Sequence, residues 1–233
     1  MNIYLIKASA QSAFKEYKKY MGSPPQSIFS LAATTPKGVG IEMVDETMDM
    51  KVNYRSNADV VAIFASTPDI LRAYEIAKKF RKKGKTVVLA GLHVTFMPDE
   101  AQQHADTIIV GEAEGVWEQL LEDYRAGSLL PRYQRTEPVD VATLKPFSTQ
   151  LIDKSWYGNA WTVMVSRGCV YHCSYCVVTP FFNKGMRYRP VGQIVDEIKN
   201  SGAKWIELHS DHLMGDPDYI RELLTALIPL NIQ

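Results

Sequence analysis

Apolar residues fall along this chain in short blocks whose period switches between that of a strand and that of a helix. Asn2 to Ile6 (NIYLI) is a short apolar strand, and Val39 to Val44 (VGIEMV) alternates as a second. Between them, Pro24 to Pro36 is a proline-bounded helix with Ile28, Leu31 and Ala32 on one side. Val60 to Ala65 (VVAIFA) is apolar on both faces, as buried parallel strands tend to be. Thr67 then reads as an N-cap, Pro68 as the first helical residue and Asp69 as an acid at the positive dipole end. Ile70, Ala73, Tyr74, Ala77 and Phe80 follow at helical spacing until Gly84. Thr86 to Ala90 and Thr107 to Val110 are two further strands with a short helix from Pro98 between them, and Val116 to Tyr124 is an amphipathic closing helix.

Five strands with interleaved helices predict an α/β, doubly wound, Rossmann-like parallel sheet over residues 1–127, with ligands at the carboxyl ends of the strands. The segments leaving those ends are Ser66-Thr67, Gly91 to Thr95 and Gly111 to Gly115. Residues 128–158 have no sustained period and contain Pro131, Pro138 and Pro146, which reads as an extended linker. Over residues 159–233 the pattern restarts. Trp161 to Val165 and Trp205 to Leu208 are strands, and helices open at Pro190 and Pro217. The expectation there is two β-α units, the start of a (β/α) barrel.

The charge balance narrows the class. The 233 residues carry 26 Lys+Arg against 26 Asp+Glu, which gives no general electrostatic reason for a nucleic-acid or anionic-membrane partner. The basic run Lys78 to Lys85 reads as a solvated helix end whose cations complement the dipole. The apolar run Val60 to Ala65 is far short of the roughly 20 residues that cross a bilayer, and MNIYLIKAS lacks the features of a signal peptide. A cytoplasmic protein without a membrane span is expected.

All three cysteines sit within eight residues, as C169-V-Y-H-C173-S-Y-C176. An odd number so closely spaced is no disulfide framework, and clustered thiols in a reducing compartment usually mean metal. Three thiolates can hold three corners of a 4Fe-4S cluster, leaving one iron open. The alternatives are a zinc site using the three Cys with His172 or a distant His, and three inert buried thiols.

This spacing, with an aromatic before the third Cys, the preceding S166-R167-G168 and the later R187-Y188-R189-P190, resembles the radical S-adenosylmethionine (radical SAM) superfamily. Many members have Pro where this chain has Val170. The resemblance implies that S-adenosylmethionine chelates the open iron and yields a 5'-deoxyadenosyl radical on one-electron reduction. It also implies that Cys169, Cys173 and Cys176 bind the cluster and that the backbone near Tyr175 contacts adenine. Asp211, after the second barrel strand, matches an acid found near the S-adenosylmethionine amino group, although Ser210, His212 and Leu213 depart from that pattern. Its other reading is an N-cap of the following turn.

The first half, with P24-P25, D45-E46, G91-L92-H93-V94-T95, P98-D99-E100-A101 and G111-E112-A113-E114, is similar to the cobalamin-binding domain of cobalamin-dependent radical SAM proteins. The corrin is then expected over the strand ends, near Ser66, Thr67, Gly91, His93, Thr95, Gly111 and Glu112. Taken alone, the G-L-H-V-T segment reads as a strand-to-helix loop with a surface His. The D-x-H-x-x-G motif that supplies an axial His elsewhere is absent, so cobalamin is expected without a protein imidazole. The combined resemblance implies a methyltransferase acting on an unactivated carbon of a small molecule, served by a one-electron donor such as a ferredoxin or flavodoxin. A rival reading is a truncated, non-catalytic module that binds cobalamin or a cluster and needs another chain to supply the rest of its barrel.

Overall fold

The computed structural model describes residues 1–10, 24–146, 157, 160–182 and 185–232. Six parallel strands make the main sheet: β1 (Asn2–Lys7), β2 (Gly40–Asp45), β3 (Val60–Phe64), β4 (Thr86–Ala90), β5 (Thr107–Val110) and β6 (Arg132–Gln134), in the order β2-β1-β3-β4-β5-β6. The chain runs outward from β1 to one edge and then, through β3, to the other, which is the doubly wound arrangement expected. Every residue of β3 and β5 is buried, because helices cover both faces.

One face packs on α1 (Gln26–Thr34) and α5 (Trp117–Ala126), through Ile28, Leu31, Trp117 and Leu120. The other packs on α2 (Ile70–Arg81), whose Ile70, Ala73, Tyr74, Ala77 and Phe80 are buried as their spacing requires.

Three local expectations are corrected. The chain after β3 makes a single 3-10 turn, Thr67–Asp69, before α2, and the residue in extended conformation ahead of it is Ser66, not Thr67. Ser66 Oγ donates to Asp69 Oδ2 at 2.6 Å, whereas the Thr67 hydroxyl is engaged with His93. The G-L-H-V-T segment is no open loop: Leu92–Phe96 forms the short helix α3, followed by α4 (Pro98–Gln102). The expected linker is structured over its described part. Arg132–Gln134 supplies β6, with Tyr133 buried, and Asp140 caps a 3-10 turn at Val141–Thr143 by accepting from Ala142 N. Residues 147–156, 158 and 159 lie outside the described ones.

The second half builds β7 (Ala160–Met164) parallel to β10 (Trp205–His209), with α7 (Val191–Ser201) and α8 (Pro217–Leu227) packed beside them. These are the two β-α units expected. Asp216 caps α8 by accepting from Asp218 N and Tyr219 N. Between β7 and α7 lie the cysteine loop, the one-turn helix α6 (Val178–Phe181), and a two-residue antiparallel pair, β8 (Ser166–Arg167) with β9 (Arg187–Tyr188). Trp161, Val163, Ile194, Ile198 and Leu223 join the α1 and α5 face in one continuous apolar cluster, so the halves share a core. Tyr157 adds a polar tie, its hydroxyl donating to the buried Asp45 Oδ2 at 3.0 Å. Among the described residues no helix is long and apolar enough to cross a membrane.

Candidate functional site

The carboxyl ends of β3, β4 and β5 open onto a cavity of about 310 Å³. Phe64, Gly91, Leu92, Gly111 and Glu112 form its wall on the sheet side, and Met164, Arg167, Val178 and Phe182 form the wall on the cysteine-loop side. The volume is at the low end of small-molecule sites, which are mostly apolar with a few placed polar groups.

Backbone geometry brings the sheet wall close. Gly91 has φ +112, and a Cβ there would sit 2.5 Å from the Ala65 carbonyl oxygen, so only glycine lets the chain leave β4 at this angle. Thr95 Oγ1 donates to Gly91 O at 2.9 Å and accepts from Gly111 N at 3.0 Å, joining the loops after β4 and β5. Thr95 is therefore a brace between the expected binding loops.

His93 is not the surface residue that the G-L-H-V-T segment taken alone suggests. It is 8% exposed, and it does not line the cavity. Its Nδ1 shares a hydrogen bond with Thr67 Oγ1 at 3.3 Å, and its Nε2 lies 3.5 Å from Glu100 Oε1. Ser66, Thr67 and Thr95 also lie off the cavity wall, while Gly91, Gly111, Glu112 and Asp211 are on it.

On the opposite wall, β8 ends at Arg167 and the chain turns at Gly168 into the cysteines. Gly168 has φ +91 and stands against the Gly185 backbone, with no room for a Cβ. Asp211 Oδ2 accepts from Gly168 N at 2.8 Å. Asp211 is thus not the N-cap of its own turn, where Ser210 Oγ accepts from His212 N instead. It ties the end of β10 to the residue before Cys169.

Cys173 is exposed, and Cys169 and Cys176 are partly so. Among the described residues no three His, Cys, Asp or Glu side chains are already gathered as a metal-binding set. The donor set nevertheless suits an iron-sulfur cluster: three unpaired soft thiols on one loop, accessible from solvent, with no fourth Cys in the chain. Tyr175, between Cys173 and Cys176, is 88% exposed.

An ion network not anticipated from the sequence joins the two walls. Arg167 Nη1 donates to Glu112 Oε1 at 2.8 Å and Nη2 to Glu114 Oε1 at 2.5 Å. Ser30 Oγ donates to the same Glu114 oxygen at 2.6 Å. Arg187 Nη1 donates to Glu112 Oε2 at 2.9 Å and to the Val139 carbonyl. Burial alone would raise the Glu114 carboxyl, but the charge and hydrogen bonds of Arg167 and the Ser30 hydroxyl outweigh it and hold Glu114 below the ordinary carboxylate range. Burial would lower Arg167, and the two carboxylates more than reverse this.

The site is thus a doubly wound sheet with glycine loops at its strand ends, facing a three-cysteine loop at the start of a second β-α series. Residues 27–121 match the family described as B12 binding domain. Over 165 residues the chain is 42% identical to bacteriochlorophyllide d C-8(2)-methyltransferase of Chlorobaculum tepidum, covering 68% of this chain and 36% of that protein. It is 28% identical over 222 residues to bacteriochlorophyllide d C-12(1)-methyltransferase of the same organism, covering 91% and 49%.

Among solved structures, TsrM, a radical S-adenosylmethionine methyltransferase from Kitasatospora setae with cobalamin and a [4Fe-4S] cluster bound, superposes with a TM-score of 0.75 at 17% identity, covering 98% of this chain and 52% of that one. OxsB, a cobalamin-dependent S-adenosylmethionine radical enzyme with aqua-cobalamin bound, gives 0.74 at 14% identity, covering 97% and 37%. Residues 27–121 thus carry the B12-binding match, and the fold over nearly the whole chain is that of these two solved structures. The chain spans less than half the length of the two curated relatives.

Proposed function

We propose that this chain binds cobalamin at the carboxyl edge of its sheet and a 4Fe-4S cluster with S-adenosylmethionine at Cys169, Cys173 and Cys176, as part of an enzyme that methylates an unactivated carbon. The observation that carries this reading is the shared cavity, with Gly91 and Gly111 on one wall and Arg167, two residues before Cys169, on the other. When bound, the cluster supplies the electron that cleaves S-adenosylmethionine, and the corrinoid supplies a transferable methyl group.

The chain's own part is to place and shield. Three thiolates would leave one iron open for S-adenosylmethionine, with Asp211 near its amino group and the Tyr175 backbone near adenine. Gly91 and Gly111 let the backbone approach a flat ligand. Phe64, Leu92, Phe181 and Phe182 keep water from the space between the two sites. Bacteriochlorophyllide d is the first methyl acceptor to offer, because the two curated relatives are named for acting on it. A one-electron donor of the ferredoxin or flavodoxin kind would reduce the cluster.

Anaerobic reconstitution should give a 4Fe-4S signal in electron paramagnetic resonance that S-adenosylmethionine perturbs, and hydroxocobalamin should co-elute on gel filtration. A chain that takes up zinc alone and no corrinoid overturns the reading. A second reading, in which the cofactors bind but turnover needs further barrel strands, is favoured by β10, which pairs with β7 alone among the described strands and leaves Trp205 59% exposed. Formation of 5'-deoxyadenosine by this chain without a partner decides between them.

A further inference from the structure

The loop after β5 and the strand that leads into the cysteine loop are far apart in sequence, yet Glu112 and Glu114 of the first both pair with Arg167 at the end of the second. Arg167 spans both carboxylates of the Gly111–Gly115 turn, and its side chain and those of Glu112 and Glu114 are each about one-tenth exposed. Arg167 Nε is also occupied, donating to Met164 Sδ at 3.2 Å. The residue after it, Gly168, is held by Asp211. Cys169 therefore leaves a backbone fixed at two successive positions, and one of the two anchors belongs to the cobalamin-type sheet.

Arg187, the cross-strand partner of Arg167, adds a second cation on Glu112 and lies 5.5 Å from the Phe182 ring on the cavity wall. Two arginines against two glutamates balance in formal charge. A surface ion pair such as Arg81 with Asp106 contributes little, because water competes for both partners. Here water is largely excluded, and the removal of one partner strands the other.

We propose that Glu112, Glu114 and Arg167 form a positioning strap that sets the cysteine loop against the loop after β5, so that ordering one loop orders the other. The proposal rests on the cobalamin and cluster reading above for its functional consequence. Cluster formation immobilises the cysteine loop; through Arg167 it also holds the Gly111–Gly115 turn, which a corrinoid would otherwise have to order for itself. The two binding events then favour each other, reciprocally.

The first measurement needs no cofactor. Hydrogen-deuterium exchange of the full chain should show amides 168–176 exchanging about tenfold faster or more in Glu114→Gln and in the Glu112→Gln, Glu114→Gln double variant, with β3 and β4 unchanged. Asp106→Asn, at the exposed pair, should leave the cysteine loop as it is. Unaltered exchange in both strap variants, with folding confirmed by circular dichroism, overturns the proposal. The second measurement compares hydroxocobalamin affinity of the cluster-loaded and cluster-free chain. The loaded form should bind about fivefold more tightly or better in the natural sequence, and that ratio should fall to about one in the double variant. A ratio of one in the natural sequence, or a ratio the variants preserve, refutes the coupling. If neither form takes up cobalamin, the functional reading fails, and the exchange result still decides whether the strap positions the loop.

Discussion

The Asp211 carboxylate accepts a hydrogen bond from the Gly168 amide at 2.8 Å, joining the end of β10 to the residue that precedes the first cysteine. One oxygen thus serves the loop, and the residue remains exposed on the cavity wall. Asp211→Asn retains an acceptor for Gly168 N and loses the charge. The expected result is a cluster of normal iron content whose paramagnetic spectrum requires about tenfold more S-adenosylmethionine to shift, the loss of one charge-assisted hydrogen bond. Asp211→Ala removes both roles and should also lower the iron bound per chain.

Two glycines on the same rim should respond differently. Gly91→Ala combines a positive φ with a Cβ 2.5 Å from Ala65 O, and should cost about 3 kcal/mol. Gly111 also has positive φ, +85, but a Cβ there meets nothing within 4 Å, so Gly111→Ala should cost about 1 kcal/mol. Urea unfolding followed by circular dichroism checks the order; equal losses would contradict the close approach at Ala65.

The buried Glu114 makes acid stability a readout of the ion network. Its folded pKa lies below the ordinary 4.5, so the unfolded chain takes up the proton first on acidification. The stabilisation is fully present above that ordinary value and is lost as pH falls through the folded one. Glu114→Gln should be less stable than the natural sequence at neutral pH, and the difference should shrink as pH falls below about 4.5. A difference constant with pH would mean that the carboxylate charge is not what Arg167 senses.

His93 offers a spectroscopic test. Its Nδ1 is engaged with Thr67 and its ring lies off the cavity, so His93→Gln should leave the absorption spectrum of bound hydroxocobalamin unchanged. The same change should lower stability by about 1 kcal/mol, the worth of an ordinary hydrogen bond. A spectral shift in the variant would show the imidazole on cobalt.

Periodicity found the elements that bury whole faces. β3 has five buried residues in a row, and α2 buries its expected stripe, because area removed from water selects those patterns. It missed β6, where Arg132 and Gln134 point outward and only Tyr133 packs inward, leaving a three-residue strand no period to display. It missed β8 and β9, two residues each, for the same reason. The three cysteines were legible because their chemistry depends on local spacing. The partners of Arg167 were not, because Glu112 lies 55 residues away and no local pattern records a contact made through the fold. His93 was misplaced because a five-residue helix without a capping side chain resembles a loop in one dimension.

The pairing of β8 with β9 sets Arg167 directly opposite Arg187, a like-charged cross-strand pair that two isolated strands would resist. Glu112 and Glu114, which neutralise it, stand earlier in the chain. The arginine pair is therefore neutral only where the two halves of the chain meet, and the short β8–β9 ribbon depends on the sheet domain for its charge balance.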